Sequence, residues 1–147
     1  MTVYRIALAK YADQLFAPGT AARWNSQGRF LIYTAGSVSL ACLENLVHTN
    51  AANLQSAYKL MYIAIPDSVA IEQLHEPDLN PGWERNLLYT RQVGNEWLEH
   101  QRSCVLKIPS AIIQTEFNYL LNPAHPHFSQ IQLSSTEIFS FDRRLKS

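Results

Sequence analysis

A single carboxylate stands in an otherwise apolar run of the chain. Glu44 lies between two leucines in the segment Val38–Val47. Charged side chains are rarely placed among apolar ones unless they are solvated or have a specific partner. A helix over this segment, at about 100° per residue, has a broad apolar face and a narrow stripe that contains Glu44. The broad face comprises Val38, Cys42, Leu43, Leu46 and Val47, and the stripe comprises Ser37, Ala41, Glu44 and His48. This stripe faces either water or a cleft.

An arginine and a tyrosine precede this helix. Arg23 stands beside a tryptophan and an asparagine, and Tyr33 lies near the end of a strand-like run. A guanidinium binds carboxylates and phosphates through a planar fork of donors, and a phenol ring offers a flat surface for stacking. If Glu44 points into a cleft, Arg23 and Tyr33 are candidates for the opposite wall.

Two further side chains have alternative interpretations. Ser110 follows Pro109 at a break between two strand-like runs, so its hydroxyl either bonds its own backbone in a turn or faces a cleft. A role as nucleophile is not indicated, because the sequence nominates no histidine or lysine as its base. Arg5, in the first strand, either contributes to a pocket or pairs with an acidic neighbour.

The order of the elements predicts an α+β fold in one domain spanning residues 1–147, because strands and helices do not alternate regularly. Strands are predicted at Val3–Leu8, Phe30–Thr34, Ala57–Ile65 and Ser103–Ile108, with short strands near Ile131 and Phe139. Helices are predicted from a Ser37 cap to about His48 and from Trp83 to about His100, and Asn118–His127 is predicted to be irregular.

Composition excludes several classes of protein. Lysine plus arginine equals aspartate plus glutamate, 12 against 12, which argues against direct nucleic-acid binding through a basic face. No apolar run approaches the roughly 18 residues of a membrane span. The N-terminus lacks the pattern of a signal peptide, so we expect a cytoplasmic protein with reduced cysteines.

Common catalytic and metal-binding motifs are absent from the sequence. Its five glycines stand apart, so they form neither a dinucleotide-binding loop nor a phosphate-binding loop. Neither HExxH nor GxSxG occurs. His125 and His127 flank a proline, but nothing nominates a third ligand, and we predict no metal site.

Six segments in order carry a resemblance to a known family. They are VYRI, RWNSQGRFLIYTA, LENLVH, GNEWL, VLKIPSAII and NYLLNPAHP. Together they resemble the RES-domain family of bacterial toxins, which are usually encoded beside an Xre-type antitoxin. The likeness runs from Val3 to about Arg144. The family is named for an arginine, a glutamate and a serine, which fall here at Arg23, Glu44 and Ser110.

The resemblance implies an ADP-ribosyltransferase-like fold with mixed or antiparallel sheets and flanking helices. It implies that Arg23, Glu44 and Ser110 are catalytic, and that they bind NAD together with Tyr33. NAD would be the substrate, with no other cofactor. The implied partner is an Xre-type helix-turn-helix antitoxin, and a homodimer is an open alternative.

The implied reaction is cleavage of the nicotinamide–ribose bond of NAD, which would deplete the cellular pool and arrest growth. Loss of nicotinamide leaves an oxocarbenium-like ribose, which a carboxylate can stabilise. Two alternatives stay open. One is transfer of ADP-ribose to a protein or nucleic-acid acceptor, and the other is a non-catalytic binding domain.

Overall fold

Seven strands and two α-helices form an α+β fold in the computed structural model, which describes residues 1–146. The strands are β1 (Thr2–Leu8), β2 (Ile32–Ala35), β3 (Tyr58–Ala64), β4 (Ile71–Gln73), β5 (Val105–Pro109), β6 (Phe117–Leu121) and β7 (Gln132–Phe139). The helices are α1 (Val38–Leu46) and α2 (Leu87–His100). The predicted fold class is confirmed.

All seven strands belong to one sheet, in the order β4-β5-β6-β2-β1-β3-β7. Every neighbouring pair is antiparallel except β4 with β5. Tyr4 of β1 pairs with Ala35 of β2, and Ala35 pairs with Asn118 of β6. Directly paired residues point to the same face of a sheet, so these three share a face.

Both helices pack on the face that carries Ala35. Leu40 of α1 joins a buried cluster with Ala35 and Ile6, whereas Trp97 of α2 joins one with Ile108. Ile108 is the direct partner of Asn118, which places the two clusters on one side of the sheet. A third cluster fills the other side, where loop residues cover the strands. The centre of the sheet lies between the two helices, and the edge strand β7 is largely exposed.

The first helix begins where the sequence predicts. The Ser37 hydroxyl accepts a hydrogen bond from the Leu40 amide at 3.1 Å and so caps α1. The predicted faces are only partly correct, because Val47 is 54% exposed and Ala41 is buried. The buried side of α1 therefore includes Ala41, and Glu44 lies on the side of the helix that faces the sheet centre.

The second helix begins four residues later than predicted. The side chain of Asn86 accepts a hydrogen bond from the Tyr89 amide at 3.1 Å and caps α2 at that point. The preceding residues, Trp83–Arg85, form a separate 3-10 turn.

Two strand predictions were wrong, and one strand was not predicted. The segment 118–127 was expected to be irregular, but Phe117–Leu121 forms β6, a strand flanked on both sides. All but the first of its residues are buried, so β6 lacks the polar–apolar alternation that identifies a half-buried strand. The short β4 had no prediction, and β7 is one strand where two short ones were expected.

Candidate functional site

A cavity of about 360 Å³ lies over the sheet centre, between α1 and the loop that carries Arg23. We call it the central cavity. Its polar lining consists of Tyr4, Arg5, Thr20, Arg23, Tyr33, Thr34, Glu44, Asn45, His48, Thr49 and Asn118. Small-molecule sites have typical volumes of about 300–1,000 Å³. The cavity therefore has the size of a site for part of a dinucleotide.

The Glu44 carboxylate is held by two donors from the sheet side. Its Oε2 atom accepts a hydrogen bond from the Ser110 hydroxyl at 3.3 Å and another from the Asn118 side-chain amide. Among residues 1–146, Oε1 has no donor and the carboxylate forms no ion pair. One oxygen is therefore fixed by the protein, while the other is available to a ligand.

Ser110 lies behind Glu44. Its side chain has no exposed surface, and its hydroxyl oxygen accepts hydrogen bonds from the amides of Ile112 and Ile113, both at 3.1 Å. The sequence left open whether this hydroxyl bonds its own backbone in a turn or faces a cleft. It does both, since it closes a local turn and also donates to Glu44, which lines the cavity. Its position permits it to orient Glu44, but not to contact a ligand without a rearrangement.

Two arginines line the central cavity. The Arg23 guanidinium donates from Nη1 to the backbone oxygen of Glu84 at 2.7 Å, and Arg5 donates from Nη1 to the backbone oxygen of Tyr33 at 2.8 Å. Burial lowers the pKa of Arg5. Within residues 1–146 neither guanidinium pairs with a carboxylate, so the acidic neighbour considered for Arg5 is not found. Two cations without a protein counter-ion make this wall suitable for an anionic group.

The Tyr33 hydroxyl is fully used within the protein. It donates to the Asn25 side-chain oxygen at 2.5 Å and accepts from the Trp24 amide at 2.9 Å. Burial raises the pKa of Tyr33, although the hydrogen bond from Trp24 opposes the shift. The phenol is therefore neutral near pH 7 and has no free proton to transfer. Its ring is the part that a ligand can use.

Sequence reasoning missed part of the lining. His48 was not among the candidate site residues, yet it lines the central cavity one helical turn beyond Glu44. Its place on the Glu44 stripe was the available signal. Asn45 also lines the cavity, and its amide donates to the Ile6 backbone oxygen at 2.9 Å, tying α1 to β1. No spacing in the sequence marks Asn118 as a partner of Glu44.

The structure thus brings Arg23, Tyr33 and Glu44 together on the walls of one cavity and places Ser110 one layer behind. Among residues 1–146, no group of three or more histidine, cysteine, aspartate or glutamate side chains is placed to hold a metal ion. In the same residues, no helix is long and apolar enough to cross a membrane.

Several known proteins are similar to this chain. A protein of Yersinia enterocolitica named "Toxin Res" is 40% identical, with 99% of this chain and all of that protein aligned. A Sphingobium protein named "Prs ADP-ribosylating toxin" is 36% identical over 91% of this chain and 88% of its own length. A "Toxin Res" of Pseudomonas putida is also 36% identical, over 99% of each chain.

The fold is also found in a solved structure. A chain in the crystal structure of the M. tuberculosis MbcT-MbcA toxin-antitoxin complex superposes with a TM-score of 0.71, covering 98% of this chain and 85% of that one. Sequence identity is 20%, so this likeness concerns the fold. The RES domain family itself matches residues 2–142, which include every lining residue of the central cavity. This chain belongs to the RES domain family.

Proposed function

We propose that this chain is the toxin of a RES–Xre toxin–antitoxin system, and that it binds NAD and cleaves the nicotinamide–ribose bond. The observation that carries the proposal is the composition of the central cavity. It combines two arginines that lack a carboxylate partner with a glutamate whose Oε2 atom is fixed and whose Oε1 atom has no protein donor. NAD has the matching arrangement, with an anionic pyrophosphate at one end of the ribose and a cationic nicotinamide at the other.

Glu44 is the residue assigned to the reacting ribose. When nicotinamide leaves, it takes the electron pair of the glycosidic bond and becomes neutral, so positive charge moves onto the ribose. The carboxylate stabilises this charge and accepts hydrogen bonds from the ribose hydroxyls. Water then attacks the anomeric carbon and releases one proton, which gives ADP-ribose. Ser110 and Asn118 keep the carboxylate in place during these steps.

Arg23 and Arg5 are assigned to the pyrophosphate. A guanidinium has five N–H donors, and in each arginine one is committed to a backbone oxygen of the protein. The remaining donors suit phosphate oxygens, and the existing bond holds each side chain in position. The Tyr33 ring is assigned to stack on the nicotinamide, because the Tyr33 hydroxyl already makes two hydrogen bonds within the protein.

Product analysis with NAD labelled in its adenylate half tests the reaction. The purified chain should release free nicotinamide and labelled ADP-ribose in equal amounts. The matched controls are Glu44→Gln and Glu99→Gln, because Glu99 is exposed on α2, away from the cavity. Intact NAD after prolonged incubation at high enzyme concentration would reject the proposal.

Transfer of ADP-ribose to an acceptor is the second candidate function. It is favoured by the name of the Sphingobium relative, an ADP-ribosylating toxin 36% identical to this chain. Both reactions share the departure of nicotinamide and differ only in the group that reaches the anomeric carbon. Adding a cell lysate to the labelled reaction separates them, because transfer places label in protein or nucleic acid while hydrolysis leaves it in solution.

An Xre-type antitoxin is the proposed partner, acting in the cytoplasm by covering the central cavity. The names of the relatives support a toxin, and the solved complex of similar fold supports an antitoxin bound to it. Binding of such a protein should block NAD binding competitively. Joint binding of NAD and antitoxin to the same chain would contradict this assignment.

A further inference from the structure

One face of α2 contacts the backbone of the loop that carries Arg23 at four positions. The helix residues are Thr90, Arg91, Gly94 and Asn95, and the loop residues are Ala22, Arg23, Trp24 and Ser26. Positions i, i+1, i+4 and i+5 of a helix lie side by side, so they form one continuous surface. We call this surface the α2 clamp.

Three polar side chains of the clamp bind the loop. The Thr90 hydroxyl donates to the Arg23 backbone oxygen at 2.5 Å, and Arg91 donates from Nε to the Ala22 backbone oxygen at 2.7 Å. Asn95 accepts from the backbone amide of Ser26 at 3.1 Å and donates to its hydroxyl at 2.8 Å. Thr90 is fully buried, so its bond to the loop is shielded from water.

Gly94 allows α2 to lie close to the backbone of Trp24 in the loop. A Cβ atom at this position would lie 1.7 Å from the Trp24 backbone oxygen and 2.7 Å from its carbonyl carbon. No side chain fits there without moving the loop or the helix. This glycine sits in the middle of a helix, where glycine is less favourable than alanine. The close contact with Trp24 explains its presence.

We propose that the α2 clamp positions Arg23 and thereby sets the affinity for NAD, without any clamp residue touching the ligand. None of the four clamp residues lines the central cavity. The segment before α2 adds a further anchor, because the backbone oxygen of Glu84 binds the Arg23 guanidinium. Both ends of Arg23 are therefore held by one stretch of chain, its backbone by Thr90 and its guanidinium by Glu84.

Two substitutions at position 90 test this inference, which rests on the proposed NAD reaction. Thr90→Val keeps the shape of the side chain and removes the donor, whereas Thr90→Ser keeps the donor. Loss of one hydrogen bond should raise KM for NAD about three- to tenfold in Thr90→Val. We expect kcat to change little, because Glu44 belongs to a different element. Thr90→Ser and the exposed control Gln92→Ala should both retain the wild-type KM.

A second measurement does not depend on activity. Backbone amides in residues 20–29 should exchange hydrogen faster in Thr90→Val and in Gly94→Ala than in the wild-type chain or in Gln92→Ala. Faster exchange with a raised KM supports the clamp. Wild-type KM and wild-type exchange in Thr90→Val would overturn it. A wild-type chain that leaves NAD intact would reject the NAD reaction, while the exchange experiment would still decide whether the clamp holds the loop.

Discussion

The two oxygens of the Glu44 carboxylate have different surroundings. Ser110 and Asn118 both donate to Oε2, and Oε1 has no donor within residues 1–146. Hydrogen bonds to a charged group contribute about 1.5–3 kcal/mol each, so this arrangement resists reorientation of the side chain. A carboxylate fixed in advance stabilises developing charge without having to reorganise when the bond breaks.

Replacing Glu44 with glutamine removes the negative charge of the side chain and keeps its shape. Glu44→Gln should bind NAD with near-native affinity, because the arginines and Tyr33 are unchanged. Its turnover should fall on the order of a hundredfold or more, since the negative charge opposite the oxocarbenium ion is lost. Calorimetry would measure binding, and release of nicotinamide would measure turnover. A variant with near-native turnover would remove Glu44 from the mechanism.

The sequence and the family resemblance nominate Arg23, Tyr33, Glu44 and Ser110 for the site, but they do not nominate Asn118. A lone carboxylate on a helical stripe is visible as a break in an apolar pattern, and the resemblance to RES proteins adds the other three. Asn118 carries no such signal, because an asparagine inside a central strand has the same appearance as one in a loop. Its link to Glu44 depends on pairing across 74 positions of sequence.

Helix α1 carries Glu44 and is fixed at both ends. The Ser37 hydroxyl caps its N-terminus, and it also donates to the Glu116 carboxylate at 3.1 Å. At the other end, the Lys146 ammonium donates to the backbone oxygens of Leu46 and Thr49. Such contacts satisfy carbonyls that an α-helix leaves unpaired at its end.

Removing the N-terminal cap should weaken the whole domain. Ser37→Ala loses the acceptor for the Leu40 amide, which should lower the free energy of unfolding by about 1 kcal/mol. Ser37→Thr keeps a hydroxyl and should retain most of the stability. Urea denaturation, followed by tryptophan fluorescence, measures both variants. Equal midpoints for Ser37→Ala and the wild-type chain would show that the cap contributes nothing.

Elements with strong local signals were predicted well, and those that depend on tertiary contacts were not. α1 has a cap residue and a clear apolar run, and β3 stops before Pro66. By contrast, β6 is identified by the strands on its two sides, and its own residues resemble a loop as much as a strand. Burial between neighbours overrode the local preference there.

A buried thiol couples the stability of the folded chain to pH. Cys104 is 1% exposed, and burial raises its pKa from an ordinary value of 9.0 to about 11. The unfolded thiol therefore ionises at lower pH than the folded one. Stability from this group is complete below pH 9 and is lost as pH rises towards 11.

Comparing wild type with Cys104→Ala isolates this effect. We expect the wild-type urea midpoint to decline as the pH rises from 9 towards 11. The stability advantage of the wild-type chain over Cys104→Ala should shrink across the same interval. An advantage that stays constant with pH would show that the thiol ionises alike in both states.

Expression in cells tests the proposed activity on the scale of the organism. Produced alone, the chain should arrest growth, with NAD falling before ATP because NAD is the direct substrate. The Glu44→Gln form at equal abundance should be harmless, and co-expression of the antitoxin should restore growth while the toxin persists. Arrest with an unchanged NAD pool would contradict bulk cleavage and favour ADP-ribosyl transfer.

The place of β6 in the sheet also determines when the cavity can form during protein synthesis. Asn118 leaves the ribosome 74 residues after Glu44, a delay of about 4–15 seconds at about 5–20 residues per second. Until then β2 and β5 lack the strand that lies between them, and Glu44 lacks its Asn118 donor. A growing chain therefore has no assembled cavity. Any activity that depends on the central cavity starts only after most of the domain has been translated.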